Sequence, residues 1–520
     1  MKKLILITLA LINFNCFSQN TIIPQPSSIV AGQGAIYISQ TLTYNGNNSK
    51  QLYNYLKAEL KSRHNIELKK TGKDAKLAIE FGDDKTNEDY TLTITPNGII
   101  INALGEKGAF YGVQSLLQLM RNDATKIASQ TITDSPRFIW RSYMLDEARF
   151  FQGEEQVKML LDAMAELKMN TFHWHLTDDQ GWRVESKKYP LLTEIGGKRK
   201  DTQKGGYNSP NFWGKSHEGY YTQKQIKEIV AYAAVRHIKI VPEIEMPGHA
   251  TAAIAAYPWL GSDGKEVEVA TKFGKHYAIF NVTDPKVMAF LKNIVSEMIT
   301  LFGTDIIHIG GDEVRFNQWE ENPQIAKYKE RKGYSSYMDI QIECTNEMSR
   351  FIADKGASMM GWNEILGKNL HADDKIAFSN PSQKIAPNVI VHFWKGDPKD
   401  MAAAAKDGYR IVNSFHEKTY LDYDYNQISL KDAYSYNPVP NGLAKEFEKN
   451  IIGAGCQMWS EWLPTAERMH EQTFPRIAAY AETGWTKPEN KDYDSFLKRI
   501  ISLSESWVKR GINVKTSEIK

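Results

Sequence analysis

The feature that most constrains the fold of this chain is an alternation of strand-like and helix-like segments from residue 137 to residue 487. Between short apolar runs, apolar residues recur at helical spacing, as in residues 154–168 and 285–302. Eight strands joined by helices predict an α/β fold of the (β/α)8 TIM-barrel type. The alternative is a doubly wound open sheet, but no glycine-rich phosphate motif follows the first run. The predicted strands are residues 142–146, 171–176, 239–245, 305–309, 358–362, 389–394, 410–415 and 453–459.

The 520 residues are too many for one compact core, so further units are expected around this barrel. Residues 19–135 combine two helical patterns with three strand patterns, which predicts a small α+β domain. That segment holds no cluster of catalytic residue types, so we expect it to brace the barrel at residues 136–487. Residues 488–520 predict a C-terminal helix that packs on the barrel.

The first 18 residues predict a secretory signal peptide. Lys2 and Lys3 precede an apolar run at residues 4–12, and small residues fit cleavage after Ser18. We therefore expect an exported protein, periplasmic or extracellular, with lipid anchoring at Cys16 as the less favoured alternative. No later run is apolar for long enough to form a transmembrane helix. The two lysines account for the formal charge of +2, so the composition does not indicate nucleic-acid binding.

Sites in a (β/α)8 barrel lie at the C-terminal ends of the strands, and polar residues gather there in this sequence. In residues 305–313 an apolar run leads through Gly310 and Gly311 to Asp312 and Glu313. The glycines lack a Cβ, so a ligand is expected to approach the backbone there. An acidic pair at a helix N-terminus is the alternative interpretation. Other strand ends carry Asp146, Arg149, Asp178, Asp179, Glu245, His249, Trp362, Glu364, Trp394, Tyr420, Asp422, Trp459 and Glu461, and their convergence predicts a functional pocket.

Seven ordered motifs resemble those of family 20 glycoside hydrolases, the β-N-acetylhexosaminidases, over about residues 137–487. The resemblance implies removal of terminal β-linked N-acetylglucosamine or N-acetylgalactosamine from a glycan substrate, with no cofactor and no metal. The small preceding domain also resembles the one that these enzymes usually carry. The motifs are Pro136-Arg137-Phe138, Leu145-Asp146 with Arg149, His173-Trp174-His175-Leu176-Thr177-Asp178-Asp179, Pro247-Gly248-His249, His308-Ile309-Gly310-Gly311-Asp312-Glu313, Gly361-Trp362-Asn363-Glu364 and Met458-Trp459-Ser460-Glu461.

Glycosidases normally place two carboxyl groups roughly 5 to 9.5 Å apart on opposite sides of the scissile bond. Asp312 and Glu313 are neighbours in the sequence, and successive side chains of a strand point in opposite directions. The two residues are therefore poorly placed to act as acid and nucleophile on opposite sides of one bond. Another nucleophile is needed, and the family uses substrate assistance, in which the 2-acetamido oxygen attacks the anomeric carbon. By resemblance, Glu313 is the general acid and base. Asp312 would hold the acetamido N–H, and Tyr420 would aim the acetamido oxygen.

The resemblance also implies the remaining roles. Three tryptophans, Trp362, Trp394 and Trp459, would wall the acetamido pocket and stack beneath the sugar ring. Asp178 and His249 would tune proton transfer by Glu313. The residues that would bind the sugar hydroxyls, close the pocket and restrict cleavage to chain ends are Arg149, Asp422 and Glu461.

Other histidines allow a metal-site interpretation. His173 and His175 share one face of a strand, but no third ligand is evident beside them, so we interpret them as buried structural residues. His308 is interpreted as a hydrogen-bonded barrel residue. Three alternatives stay open: a disaccharide-releasing enzyme of the same family, a non-catalytic sugar-binding barrel, and a metal-dependent hydrolase that uses His308, Asp312 and Glu313.

Overall fold

The computed structural model of the chain describes residues 20–46, 49–72, 74–367 and 385–519. The predicted signal peptide, with Cys16, lies outside the described residues. Within them the chain forms a mixed sheet followed by a closed parallel barrel, which confirms the predicted fold class. None of the helices described here is both long and apolar enough to cross a membrane.

The N-terminal sheet has seven strands and two helices. In chain order they are β1 (Ser28–Tyr37), β2 (Thr41–Gly46), α1 (Lys50–His64), β3 (Glu67–Lys70), β4 (Leu77–Phe81), β5 (Tyr90–Thr95), β6 (Gly98–Ala103), α2 (Glu106–Leu119) and β7 (Lys126–Asp134). The sheet order is β1-β7-β5-β6-β4-β2-β3. Pairs among β1, β7, β5 and β6 are antiparallel, whereas β6, β4, β2 and β3 pair in parallel.

Local sequence explains the two helices of this domain. Helix α1 starts where the Ser49 side chain accepts a hydrogen bond from the Leu52 backbone N–H, and it ends at Asn65, whose φ of 53° is left-handed. Its core-facing positions include Leu56 and Leu60. The predicted strands β4, β5 and β6 are present, but the sequence reading missed β1, β2, β3 and β7. Strand β1 is an exposed edge strand, and only Leu68 of β3 is buried, so neither shows a clear apolar pattern.

Eight parallel strands close the barrel. From β8 onward the strands are β8 (Trp140–Asp146), β9 (Thr171–His175), β10 (Thr177–Asp178), β11 (Gly181–Trp182), β12 (Lys198–Arg199), β13 (His217–Glu218), β14 (Lys239–Glu243), β15 (Ile306–His308), β16 (Ser358–Trp362), β17 (Ile390–Phe393), β18 (Arg410–Asn413) and β19 (Ile451–Met458). The barrel order is β14-β15-β16-β17-β18-β19-β8-β9, and the four short strands β10 to β13 form two separate pairs in the loop after β9. Each predicted barrel strand matches one observed strand to within three residues.

Some of the helices between the strands begin at side-chain caps. Thr222 and Gln225 form a capping box at one helix, and Asp284 caps another, which ends at Gly303. The helices are α3 (Glu154–Glu166), α4 (Leu191–Glu194), α5 (Gln223–Ala234), α6 (Thr251–Ala256), α7 (Pro285–Phe302), α8 (Asn317–Glu321), α9 (Pro323–Lys332), α10 (Tyr337–Asp354), α11 (Pro398–Lys406), α12 (His416–Thr419), α13 (Leu430–Ser435), α14 (Lys445–Glu448), α15 (Ala466–Thr473), α16 (Arg476–Trp485) and α17 (Tyr493–Lys509).

Buried polar contacts join the sheet, the barrel and the last helix. Asp134 at the end of β7 lies 2.8 Å from Lys168 Nζ and accepts a hydrogen bond from Trp485 Nε1 at 2.9 Å. On helix α3, Glu166 accepts hydrogen bonds from Trp507 Nε1 at 3.1 Å and from Arg510 at 2.6 Å. Because Asp134, Lys168 and Glu166 are buried, each of these charges would be costly without its partner.

Candidate active site

The stretch after β15 delivers two carboxyl groups to the C-terminal mouth of the barrel. Gly310 and Gly311 have φ values of 64° and 91°, which glycine adopts without strain. A Cβ on Gly310 would lie 1.8 Å from Glu245 Oε2, so the carboxyl group of Glu245 occupies the space above this glycine. At Gly310 the absent Cβ therefore makes room for a side chain of the protein, and ligand approach to this backbone stays a prediction. The helix N-terminus interpretation is wrong, because the next helix starts only at Asn317.

Asp312 and Glu313 face the same imidazole. Asp312 Oδ2 and Glu313 Oε2 each lie 3.8 Å from His249 Nε2. The prediction that the two side chains point in opposite directions is wrong, because they lie in a loop rather than in a strand and Glu313 has a left-handed φ of 49°. Burial, with the neighbouring charge of Glu313, raises the pKa of Asp312 to about 7. On its other side, Glu313 Oε1 lies 3.6 Å from Lys275 Nζ.

A carboxylate pair holds His249 from behind. His249 Nδ1 lies 3.1 Å from Asp178 Oδ1 and 3.0 Å from Asp179 Oδ2. Burial lowers the pKa of His249, but the two carboxylates outweigh it and raise that pKa well above its usual range. Asp179 also accepts hydrogen bonds from the backbone and hydroxyl group of Thr251. The imidazolium of His249 is thus held between two aspartates and the two acidic residues at the mouth.

Arg149 lies between Asp178 and the side of the site that holds Trp459 and Glu461. Its Nη2 lies 2.8 Å from Asp178 Oδ2, and its guanidinium carbon lies 5.0 Å from the centre of the Trp459 ring. Burial raises the pKa of Glu461, and Arg149 counteracts that rise. Burial and then Glu461 raise the pKa of Asp422 well above its usual range. Glu461 therefore lies within electrostatic reach of both Arg149 and Asp422.

An aromatic box, made of Trp362, Tyr420, Trp459 and the partly buried Trp394, lines the same mouth. The first three form one buried cluster with Met144, and Trp394 packs against it. The rings of Trp394 and Tyr420 are nearly parallel, with an angle of 12° between them and centroids 6.2 Å apart. The centroids of Tyr420 and Trp459 are 6.0 Å apart. This arrangement creates a dry, apolar surface beside Asp312.

The buried histidines share a carboxylate that the sequence reading missed. Glu243 at the end of β14 lies 2.8 Å from both His173 Nε2 and His308 Nδ1, and 2.6 Å from His175 Nδ1. The prediction that no third ligand type lies beside His173 and His175 is wrong. Three described groups are close enough to hold a metal ion: His173 with Glu243 and His308, His175 with Glu243 and Glu245, and Asp178 with Asp179 and His249. The nitrogen–oxygen distances of 2.6 to 3.1 Å are also those of hydrogen bonds.

Three further residues at the mouth had no assigned role at the sequence level. Glu364 accepts a hydrogen bond from Trp394 Nε1 at 2.9 Å. Tyr207 comes from the inserted loop after β9, and Glu461, Asp422 and Glu313 all raise the pKa of its hydroxyl group, which therefore faces the same carboxylates. Lys275 comes from the loop before α7. Glu364 has a sequence signal, since it follows a barrel strand, whereas the positions of Tyr207 and Lys275 depend on long loops.

Comparison with known proteins agrees with this geometry. The family model described as "Glycosyl hydrolase family 20, catalytic domain" matches residues 138–488, and "Glycosyl hydrolase family 20, domain 2" matches residues 19–135. A beta-hexosaminidase from Porphyromonas gingivalis is 32% identical over 475 residues, which cover 85% of this chain and 58% of that protein. A beta-hexosaminidase from Vibrio furnissii is 29% identical and covers 89% of this chain and 76% of its own. The chain thus spans little more than half of the Porphyromonas relative.

Solved structures give the same result. An exo beta-N-acetylglucosaminidase of this family from Vibrio harveyi has a TM-score of 0.83 at 29% identity, over 96% of this chain and 78% of that one. A chitobiase from Flavobacterium johnsoniae has a TM-score of 0.81 at 32% identity, over 95% of this chain and 73% of that one. The chain therefore belongs to glycosyl hydrolase family 20, and its barrel is a glycoside hydrolase catalytic domain.

Proposed function

We propose that this protein is an exo-acting β-N-acetylhexosaminidase that removes terminal β-linked N-acetylglucosamine or N-acetylgalactosamine with retention of configuration. The observation that carries the proposal is the placement of Asp312 and Glu313 on one imidazole, beside the aromatic box. Membership of family 20 supports it, since the two relatives described above are beta-hexosaminidases. The Vibrio harveyi neighbour is an exo enzyme in complex with N-acetylglucosamine, which supports a single N-acetylated sugar in this pocket.

The proposed nucleophile is the acetamido oxygen of the substrate itself. Because Asp312 and Glu313 face His249 together, they do not divide across the scissile bond as acid and nucleophile. The acetamido oxygen forms a bond to the anomeric carbon while the bond from that carbon to the leaving oxygen breaks. Asp312 accepts the acetamido N–H and stabilises the positive oxazolinium ring that results. Burial keeps the hydroxyl group of Tyr420 protonated, so it can donate a hydrogen bond to the attacking oxygen.

Glu313 supplies and then recovers the proton. In the first step it gives its proton to the leaving oxygen. In the second step water bonds to the anomeric carbon while the bond from that carbon to the acetamido oxygen breaks, and Glu313 takes a proton from the water. The charged row of His249, Asp178 and Arg149 behind it is held by contacts of 2.8 to 3.1 Å. A fixed charge of this kind needs no reorganisation during the reaction, which favours catalysis.

The far end of the pocket supports exo cleavage. Arg149, Asp422 and Glu461 would bind the sugar hydroxyl groups, and charge-assisted bonds of this type contribute roughly 1.5 to 3 kcal/mol each. Asp422 Oδ1 is buried and has no hydrogen-bond partner within the described part of the chain, as expected for an atom that binds substrate.

A second candidate is a disaccharide-releasing enzyme of the same family. A groove of about 460 Å3 borders Glu461 and is lined by aromatic and cationic side chains, including Trp213, Trp462, Lys204 and Arg468. This groove has room for an additional sugar beyond Glu461. The length of the released product distinguishes the two candidates.

The first experiment compares release of nitrophenol from the 4-nitrophenyl β-glycosides of N-acetylglucosamine and of glucose. We expect cleavage of the acetamido substrate alone, and loss of most activity in Glu313→Gln. The matched control is Glu347→Gln, which alters a partly exposed ion pair with Lys292 at 2.6 Å and should keep full activity. Equal cleavage of the plain glucoside would exclude the acetamido nucleophile. Chromatography of the products from triacetylchitotriose should show the monosaccharide first, and a disaccharide with no monosaccharide would favour the second candidate.

We also propose that the protein is exported to the periplasm or the medium. The support is the sequence of residues 1–18, where Lys2 and Lys3 precede an apolar run. N-terminal sequencing and mass measurement of the mature protein should place its first residue after Ser18. A lipid-modified Cys16 would favour the anchored alternative.

A further inference from the structure

The carboxylate of Glu243 is the centre of a fully buried polar cluster inside the barrel. Its Oε2 lies 2.8 Å from His173 Nε2 and 2.6 Å from His175 Nδ1. Its Oε1 lies 2.8 Å from His308 Nδ1 and accepts a hydrogen bond of 2.8 Å from Trp362 Nε1. Four side chains from three other strands therefore converge on one acidic group.

The two imidazoles on Oε2 differ in charge. His175 Nδ1 contacts Glu243, and its Nε2 lies 2.9 Å from Asp178 Oδ2, so each ring nitrogen faces a carboxylate and carries a proton. Burial lowers the pKa of His175, but Glu243 and Asp178 outweigh it and raise it to about 10. For His173 burial prevails and lowers the pKa to about 4. Of the two histidines on Oε2, His175 is therefore the imidazolium.

Through these contacts Glu243 reaches both halves of the proposed site. On one side, His175 contacts Asp178, which contacts His249, whose Nε2 faces Glu313 at 3.8 Å. On the other side, Glu243 holds the N–H of Trp362, a member of the aromatic box. The Trp362 ring also stacks on the His392 ring, with centroids 4.2 Å apart. Glu243 therefore contacts both His175, which leads to the acid, and one ring of the aromatic box.

We propose that Glu243 is a positioning residue that serves proton donation and acetamido attack together. It holds His175 charged beside Asp178, and it fixes the indole of Trp362 as the wall of the acetamido pocket. This inference rests on the proposed function. Substrates with different leaving groups distinguish the effect on proton donation from the effect on acetamido attack. A dinitrophenolate departs without a proton, whereas a sugar alkoxide needs a proton from the acid.

The experiment measures kcat/KM for two substrates, the 2,4-dinitrophenyl glycoside of N-acetylglucosamine and diacetylchitobiose. Glu243→Gln keeps the shape of the side chain and an oxygen that can accept from Trp362, but it removes the charge that balances His175. We expect kcat/KM for diacetylchitobiose to fall between about tenfold and a hundredfold, and kcat/KM for the dinitrophenyl substrate to fall less than about threefold. Trp362→Phe removes the indole N–H together with part of the pocket wall, and it should lower kcat/KM for both substrates by the same factor.

A purely structural role predicts a different result. Glu147→Gln is the matched control, because Glu147 is also fully buried but bonds to Tyr221 and the backbone of Gln152 instead. Any loss in this control should be equal for both substrates. If Glu243→Gln does not fold, His175→Gln removes the cation that Glu243 holds and leaves the contact of Glu243 with Trp362 in place, and the same comparison applies.

The outcomes distinguish a failure of this inference from a failure of the proposed function. Equal losses for both substrates in Glu243→Gln, or no loss at all, would overturn this inference while leaving the proposed function intact. A wild-type protein that cleaves neither substrate would overturn the proposed function, and this inference with it.

Discussion

Replacing Asp178 with asparagine should destabilise the protein strongly at neutral pH. Asp178 Oδ2 lies 2.8 Å from Arg149 and 2.9 Å from His175, and its Oδ1 lies 3.1 Å from His249. The NH2 group of asparagine would face one of the N–H donors of Arg149, His175 or His249. The substitution would also leave these buried cations without the charge of Asp178. Breaking a buried pair in this way costs about 3 to 5 kcal/mol. That is a large part of the 5 to 15 kcal/mol that typically stabilises a domain.

The pH dependence gives a second signature. The cations Arg149 and His249 outweigh burial and hold the pKa of Asp178 well below its usual range. Its contribution to stability is therefore present above its unfolded pKa and is lost only as the pH falls through its folded pKa. His175 behaves in the opposite sense. With a pKa raised to about 10, its contribution is complete below the unfolded value of about 6.5 and is lost as the pH rises toward 10.

From these values, the free energy of unfolding of the wild type should fall by about 4 to 5 kcal/mol between pH 6.5 and 10 through His175 alone. Asp178→Asn removes one of the two carboxylates on His175, so its stability should fall less steeply over this range. The unfolding free energy can be measured by urea titration followed by tryptophan fluorescence at pH 7 and pH 9.

The control is Asp162→Asn, which breaks a partly exposed pair with Arg236 at 2.6 Å and should cost less than about 1 kcal/mol. The reasoning is refuted if Asp178→Asn costs no more than this control at pH 7. It is also refuted if wild-type stability is flat between pH 7 and 9.

Three further predictions concern the mouth of the barrel. Gly310→Ala should lower the free energy of unfolding by more than about 2 kcal/mol, because its Cβ would lie 1.8 Å from Glu245. The control is Gly333→Ala, which should cost only about 1 kcal/mol because Gly333 has a similar φ and a Cβ there would meet no atom within 4 Å. Equal losses of the two variants in thermal unfolding would contradict the clash. Lys275→Met removes the cation 3.6 Å from Glu313, which no longer favours the ionised acid, so the alkaline limb of the kcat/KM profile should shift to higher pH. Lys275→Arg keeps the charge and should keep the wild-type profile. An unshifted alkaline limb in the Met variant would show that Lys275 does not act on Glu313. Dialysis against a chelator should leave the rate of nitrophenol release unchanged, and a loss restored by added metal would favour the metal-dependent hydrolase.

The barrel was predictable because most residues of its strands are buried. All residues of β8 and β19 are buried, so their apolar runs are visible without knowledge of neighbouring strands. Strand β1 was not predictable, because it lies at the sheet edge, is mostly exposed, and has an irregularity between Ala31 and Ala35 that interrupts its pairing with β7.

Within the site, the residue types were predictable and their directions were not. The position of Asp312 and Glu313 after an apolar run indicates a site at a strand end, but the left-handed φ of Glu313 determines which way its carboxyl group points. Glu243 gave no signal, since it ends an apolar run that reads as an ordinary barrel strand. Its role becomes visible only when closure of the barrel places β9, β14, β15 and β16 side by side.

The sequence by itself determined the alternation of strands and helices, the small domain before the barrel and the ordered motifs of the family. These features depend on local periodicity and residue type, which are readable one segment at a time. Only the tertiary structure decided that both acidic residues share His249, that Lys275 contacts Glu313, and that one carboxylate connects His175 with Trp362. Those contacts join residues from separate strands and loops, so they exist only after the barrel has closed and the loop dihedral angles are set.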